Sequence, residues 1–293
     1  MSTAVVGALN HDVIIRTEQR PLAGETAVGE IAGIACGGKG ANQAAAAAEA
    51  GAQVRMVGAV GADEAGHAQL ADLRSRGVDC SAVVVVPDQP TGLAVIALTP
   101  DGENSIVVGI GANGALTPEL VRTALDREPR PTAVIAQCEV GAGPTDAAAD
   151  WCRTSGARLV LSAAPVLELA PDSYRIADPL VVNAGEAAAL LGTEPATSVD
   201  AAVGQVEQLL DRLSCRSAVL TLGPLGALVS GPAGTDHVPA VPVEVLDTTG
   251  AGDAFVGALT AALVDGHGLA AAARLGASAA AGAVARIGAR SPL

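Results

Sequence analysis

Short apolar runs that alternate with alanine-rich stretches of helical length set the tightest limit on what this chain can become. The runs are TAVVGAL, QVRMVGAV, AVIAQ, RLVLSA and PLVVNA; among the helical stretches are NQAAAAAEAGA and one ending near Arg76 and Gly77. Near-continuous apolar runs suit strands buried on both faces. The expected fold is therefore α/β, with a mainly parallel central sheet flanked by helices. Two segments break the rhythm. In 13–35 and 91–108, polar turns and alternating apolar residues suit antiparallel strands, which predicts a small β-sheet lid over the edge of the main sheet. Length alone permits one large domain or two modest ones. With no linker or repeat in view, residues 1–293 read as a single domain carrying that lid.

Composition narrows the partners. The chain has one Trp, one Tyr and one Phe, so its core must be built from Ala, Val, Leu and Ile, and ring stacking is nearly unavailable. A formal charge of −14 leaves no broad basic surface for a nucleic-acid backbone or an anionic membrane. A small molecule is the expected partner. Cys36, Cys80, Cys138, Cys152 and Cys215 are odd in number and never spaced as C-x-x-C, which suits the reduced thiols of a cytoplasmic protein. The opening MSTAVVGALNHD lacks a basic region before a long apolar one, so no signal peptide is expected. The uncharged stretch 217–235 is broken by Gly223, Pro224, Gly226, Gly231 and Pro232 and reads as a hairpin, not a membrane span. His11, His67, His237 and His267 are scattered without ligand spacing.

Three glycine clusters carry the candidate chemistry. In Asp247-Thr248-Thr249-Gly250-Ala251-Gly252-Asp253, strand-like VPVEVL leads through a glycine turn into the apolar stretch AFVGALTAALV. Such a turn aims free N–H groups at an anion, and an acid at the helix mouth can take a proton from a hydroxyl. Asp253 could equally be an N-terminal capping acid. The second cluster, Gly37-Gly38-Lys39-Gly40-Ala41-Asn42-Gln43, precedes a helix over 44–50 that stops at Gly51. It nearly spells a P-loop, but Gly40 stands where a magnesium-binding hydroxyl would be needed. The third, Gly109-Ile110-Gly111-Ala112-Asn113-Gly114, matches a dinucleotide fingerprint weakly. Thr117-Pro118-Glu119 supplies its own helix cap, which leaves these glycines in a loop.

Taken in order, these motifs resemble the ribokinase-like family of sugar kinases over nearly the whole chain. Asn10-His11-Asp12 resembles the family's N-x-D sugar-binding pair, and Pro21-Leu22-Ala23-Gly24-Glu25-Thr26 resembles a lid motif. GGKGANQA and DTTGAGDAF resemble its two signatures. Thr91-Gly92-Leu93-Ala94-Val95-Ile96, Asp101-Gly102-Glu103-Asn104 and GANGALTPE follow in family order, and Asn183-Ala184-Gly185-Glu186 resembles its N-x-x-E motif.

The resemblance implies transfer of the γ-phosphoryl of ATP, with Mg2+, to the primary hydroxyl of ribose. Asp253 would be the base, with Gly250, Ala251 and Gly252 forming the anion hole. Asn10, Asp12, Gly38, Lys39, Gly40, Asn42 and Glu139 would hold the sugar, since polyol recognition needs a dense polar set. Asn183, Glu186, Thr221, Gly223, Gly226 and Gly252 would face the nucleotide. Asp247, Thr249, Ala283, Arg286 and Gly288 would surround a monovalent cation, K+, and the lid would pair two subunits into a homodimer. Another sugar or a nucleoside remains open as substrate, as does a non-catalytic sugar sensor. Four departures bear on nucleotide affinity: Ser162 in SAAP, Ala277 at a position often larger, Pro224 without a backbone donor, and a chain that stops soon after Ser291.

Overall fold

Side chains alternate between the two faces of a strand, and in the main sheet of this protein both faces are covered. The computed structural model describes residues 2–100, 104–286 and 288–290. Asp101, Gly102 and Glu103 of the lid motif and the tail from Ser291 lie outside the described residues. The strands are β1 (Ser2–Val6), β2 (Asn10–Thr17), β3 (Gly29–Gly37), β4 (Gln53–Gly61), β5 (Asp79–Val86), β6 (Gly92–Leu98), β7 (Asn104–Gly109), β8 (Ala133–Gln137), β9 (Arg158–Ser162), β10 (Ala177–Asn183), β11 (Ala218–Thr221), β12 (Ala227–Gly231) and β13 (Gly234–Val238).

Nine strands form the central sheet in the order β13-β12-β11-β10-β9-β8-β1-β4-β5, parallel except for β12, which runs antiparallel to both its neighbours. The uncharged stretch 217–235 thus becomes the β11–β12 hairpin and the start of β13. Val134, Ala136, Leu159, Leu161, Leu180 and Val182 bury one face, packed with α3 (Pro118–Leu125), α4 (Ala142–Ser155), α6 (Ala184–Leu191) and α7 (Val199–Leu213). Ile135, Val160, Val181 and Val219 bury the other, packed with α1 (Lys39–Glu49), α2 (Glu64–Ser75), α8 (Ala251–Val264) and α9 (Leu269–Val284). The short α5 (Pro171–Arg175) precedes β10. Among the described residues no helix is long and apolar enough to cross a membrane, and the five cysteines are free.

A second, four-stranded sheet runs β3-β2-β6-β7. Its outer pairs are antiparallel, as the alternating segments predict, but β2 and β6 pair in parallel. The sheet joins two hairpins distant in sequence, so strand direction at the join follows the chain path. Two boundaries also differ from the sequence reading. Residues 241–246 form no strand: Val245 and Leu246 are 57% and 61% exposed, and the Leu246 amide donates to Val284 O at the end of α9 (2.8 Å). The helix expected over 44–50 begins at Lys39, so Gly40, Asn42 and Gln43 belong to its first turns. Gly40 is admitted there by contact, since a Cβ on it would lie 2.6 Å from the Gly7 carbonyl carbon.

Candidate active site

Asn10 and Asp12 stand two residues apart in β2 and therefore share a face. Asp12 pairs with Ala94 of β6 and Ala94 with Val108 of β7, so the lid turns one mixed polar and apolar face inward. That face closes over the C-terminal ends of the central strands, where α/β sheets bind ligands. Between them lies a cavity of about 420 Å³.

On the lid side, Asn10 is 2% exposed, and its Oδ1 accepts from Asn113 Nδ2 at 2.8 Å. Asn113 also bridges the Leu9 amide and carbonyl (3.0 and 3.2 Å). Gln69, itself fully buried, donates to the carbonyls of Asn10 and Gly37. Gly92 must be glycine at this junction, because a Cβ would lie 2.4 Å from Asn10 Oδ1 and 2.2 Å from Asn113 Nδ2. Asp12 Oδ1 is buried with no hydrogen-bond partner. Burial pushes its carboxyl up to about 7, with Arg290 opposing and the negative charges of Glu139 and Asp253 adding. An unpartnered acceptor on a cavity wall is ready for a ligand hydroxyl.

At the floor, Gly38 takes φ 88° as the N-cap of α1, and the Lys39 amide donates to Glu139 Oε2 at 2.9 Å. A carboxylate thus already occupies the positive end of α1, which excludes the P-loop reading of this cluster. The Lys39 ammonium is held above its usual range chiefly by Asp253, with burial opposing and Glu139 and Glu186 adding. Burial raises Glu139 and Glu186, and Lys39 works against both shifts.

Opposite stands the first turn of α8. Gly250, its N-cap, has φ 77°. The Ala251 amide turns back to Thr248 O at 3.3 Å, while the Gly252 and Asp253 amides lie in the first turn, where helix geometry gives them no partner. A Cβ at Gly252 would meet nothing within 4 Å. Asp253 is 7% exposed. Its Oδ2 accepts from Asn42 Nδ2 (3.0 Å) and its Oδ1 from Gln43 Nε2 (2.9 Å). One turn on, Gly257 lets α8 lie directly on α1, because a Cβ there would be 2.6 Å from Ala46 Cβ. That close approach brings the acid to its two amides.

The cavity wall therefore unites Asn10, Asp12, Gly38, Lys39, Asn42 and Glu139 with Gly250, Gly252 and Asp253, and it includes Asn183, Glu186, Thr221 and Thr249. Asn183 and Glu186 also cap α6 reciprocally: Asn183 Oδ1 accepts from the Glu186 amide and Glu186 Oε2 from the Asn183 amide, both at 2.8 Å. Other expected positions stand off the wall. Gly40 packs on Gly7, and Gly226 holds the approach to Val238, whose carbonyl oxygen a Cβ would meet at 2.1 Å. Gly223 opens a 3-10 turn with Pro224 near its start, where a missing N–H removes no helical bond. Ala277 is buried in the core beside α8 rather than in the cavity.

Asp247, Ala283, Arg286 and Gly288 also lie off the wall, where loop and tail meet. Asp247 accepts from the Thr249 amide (2.8 Å) and the Gly288 amide (2.9 Å), and these bonds hold its carboxyl below the usual range against burial. The sequence reading did not assign Gln43, Gln69, Asn113, Gln137 or Arg290. Gln43 and Asn113 belong to glycine clusters and Gln137 ends the run AVIAQ, but nothing in the order of residues shows which neutral amide faces a carboxylate.

Residues 2–293 match the family model described as pfkB family carbohydrate kinase. The chain belongs to this family. It is similar to the ribokinase of Bacillus subtilis, 35% identical over 286 residues, which cover 98% of this chain and 94% of that protein. It is also 34% identical to the deoxyribokinase of Salmonella typhi over 258 residues, 88% of this chain and 84% of that one. The structure of Arabidopsis thaliana ribokinase complexed with ribose and ATP superposes with a TM-score of 0.86 at 28% identity, covering 98% of this chain and 94% of that one. The lid, the strand ends and the α8 turn are thus the parts of a carbohydrate kinase.

Proposed function

We propose that this carbohydrate kinase transfers the γ-phosphoryl group of ATP to the primary hydroxyl of D-ribose, giving ribose 5-phosphate and ADP. The observation that carries the reading is the α8 turn, where a buried carboxylate and two helix amides without intrahelical partners share one turn on the cavity wall. Asp253 accepts the hydroxyl proton as the sugar oxygen bonds to phosphorus and the bond to the ADP oxygen breaks. The amides of the turn stabilise the charge on the moving group, and Lys39 adds a cation beside the same carboxylate. Asn10, Asp12, Asn42 and Glu139 orient the sugar.

For Mg2+, among the described residues no three acidic, His or Cys side chains converge. Mg2+ would then be held mainly by the phosphates, with Glu186 on the cavity wall able to serve it. For a monovalent cation, the Asp247 carboxylate and the carbonyls of Thr249, Ala283, Arg286 and Gly288 would supply an oxygen-only set beside the anion-binding turn. K+ there would neutralise charge and stiffen the loop. The chain acts as one kinase unit in the cytoplasm, and a homodimer through the lid would cover its exposed Ile31, Ile34 and Val107.

The test is kcat/KM from ADP release over ribose, 2-deoxyribose, fructose and adenosine at saturating MgATP. Ribose should lead. A site built for a given hydroxyl leaves a polar group unpaired when that hydroxyl is missing, which costs about 1–3 kcal/mol. The similarity to a deoxyribokinase supports one alternative, and a deoxyribose rate above the ribose rate would select it. Absence of turnover on every sugar would leave a sugar sensor.

A further inference from the structure

Arg290 comes from the C-terminal tail, yet only 5% of its side chain is exposed. All three of its guanidinium nitrogens donate hydrogen bonds. Nε donates to Asn42 Oδ1 (3.0 Å), Nη1 to Asp72 Oδ2 (2.5 Å), and Nη2 to Gly37 O and Gln69 Oε1 (both 2.9 Å). Asp72 supplies the compensating charge that lets a cation sit in the interior. The Nε bond does something else.

A guanidinium can only donate and an ionised carboxylate can only accept. The Asn42 amide lies between Arg290 Nε and Asp253 Oδ2, so it has one orientation, oxygen toward the arginine and nitrogen toward the acid. The other oxygen of Asp253 is treated alike. Gln137 Nε2 donates to Gln43 Oε1 (2.5 Å), which turns Gln43 Nε2 onto Asp253 Oδ1. Each oxygen of the acid is held by an amide that is itself locked from behind, on one side by Gln137 in β8 and on the other by the tail.

We propose that Arg290 is a positioning residue for phosphoryl transfer: docked from the tail, it fixes the Asn42 amide and thereby the direction in which Asp253 faces the sugar hydroxyl. The proposal rests on the reading of Asp253 as the base. Two residues earlier the Gly288 amide is bound to Asp247 Oδ2, so one tail segment fastens both the loop leading into the α8 turn and the support of the acid. Lysine cannot substitute, because a single ammonium lacks the planar fork that reaches Asn42, Asp72 and Gly37 together.

The experiment is a double-mutant cycle on the full chain, with kcat and KM for sugar and ATP measured in Arg290→Lys, Asn42→Ala and the double variant, and Asp253→Asn alongside. Arg290→Lys should lower kcat by about tenfold or more, as small displacements of a catalytic group do. In the Asn42→Ala background the same change should alter kcat by less than about twofold, since the two act as one unit. Arg290→Ala should regain turnover with added methylguanidinium in the wild-type background but not in Asn42→Ala. Equal kcat losses from Arg290→Lys in both backgrounds, or a lowered Tm with kcat unchanged, would overturn the proposal and leave Arg290 a tail anchor. Failure of both Arg290 variants to fold has the same meaning. If instead Asp253→Asn retains wild-type kcat, it is the base assignment that fails.

Discussion

Asp12→Asn should make the protein more stable and worse at binding sugar, with a stability gain that depends on pH. In the fold the Asp12 carboxyl is pushed up to about 7 from 3.8, chiefly by burial. Between those values the native state holds a proton that the unfolded chain has released, so this group's contribution to stability falls as pH rises from about 4 to about 7. Above pH 7 the ionisation penalty is fully present. At about 1.4 kcal/mol per pKa unit, a rise of about three units corresponds to at most about 4 kcal/mol. Asparagine keeps the shape without the charge and removes the penalty. The ligand-free variant should melt roughly 4–8 °C above the parent at pH 8.5, taking about 2 °C per kcal/mol for a chain of this size. Near pH 4 the two should converge. The sugar KM should rise by roughly five- to a hundred-fold, the effect of one lost charged acceptor. In the parent, KM should fall as pH rises through about 7, because hydroxyl donors favour the ionised acid. Thermal melts of both proteins across pH 4–8.5 are the assay. A Tm difference independent of pH would refute the burial argument.

Asp253→Asn should lower kcat by roughly 10²- to 10⁴-fold while sugar binding largely persists, and wild-type turnover in the purified variant would reduce Asp253 to a capping residue. K+ should raise activity above Na+ at equal ionic strength; equal rates in K+, Na+ and a large organic cation would remove the cation from the loop of Asp247. Gly257→Ala should destabilise the protein by about 1–3 kcal/mol, because its Cβ would lie 2.7 Å from Gln43 O and 2.6 Å from Ala46 Cβ. It should also lower kcat by parting α8 from α1, and an unchanged Tm would show that the helices yield without strain.

The contrast between what was legible in this chain and what was not follows the range of the interactions. The βα alternation and the turn of Gly250 to Gly252 are local, written in residues adjacent in sequence, and the expected sheet, lid and helix start formed accordingly. Strand 241–246 was expected from its alternating apolar residues. Periodicity cannot supply a neighbour to pair with, and this segment docks on the end of α9 instead. Asn10, Asp12, Lys39, Asn42, Glu139 and Asp253, which the motifs name in order, line one cavity, the first two from the lid strand β2 and the others from a strand end or helix start opposite it. The layer behind them obeys a different logic. Gln137 reaches Gln43 across 94 positions and Arg290 reaches Asn42 across 248. An amide or a guanidinium has no periodic signature that marks it as buried. Its burial is decided by whether a partner of the right polarity waits at the far end, and that is a property of the packed fold. The Asp12 shift is of the same kind, since it arises from the space that Gly37 leaves for the carboxylate and from the cover the lid provides. The residues that carry the proposed chemistry were readable because their motifs are contiguous, whereas those that aim them are distributed, and a chain could keep every motif and still lose alignment of its base by changing one arginine near the tail.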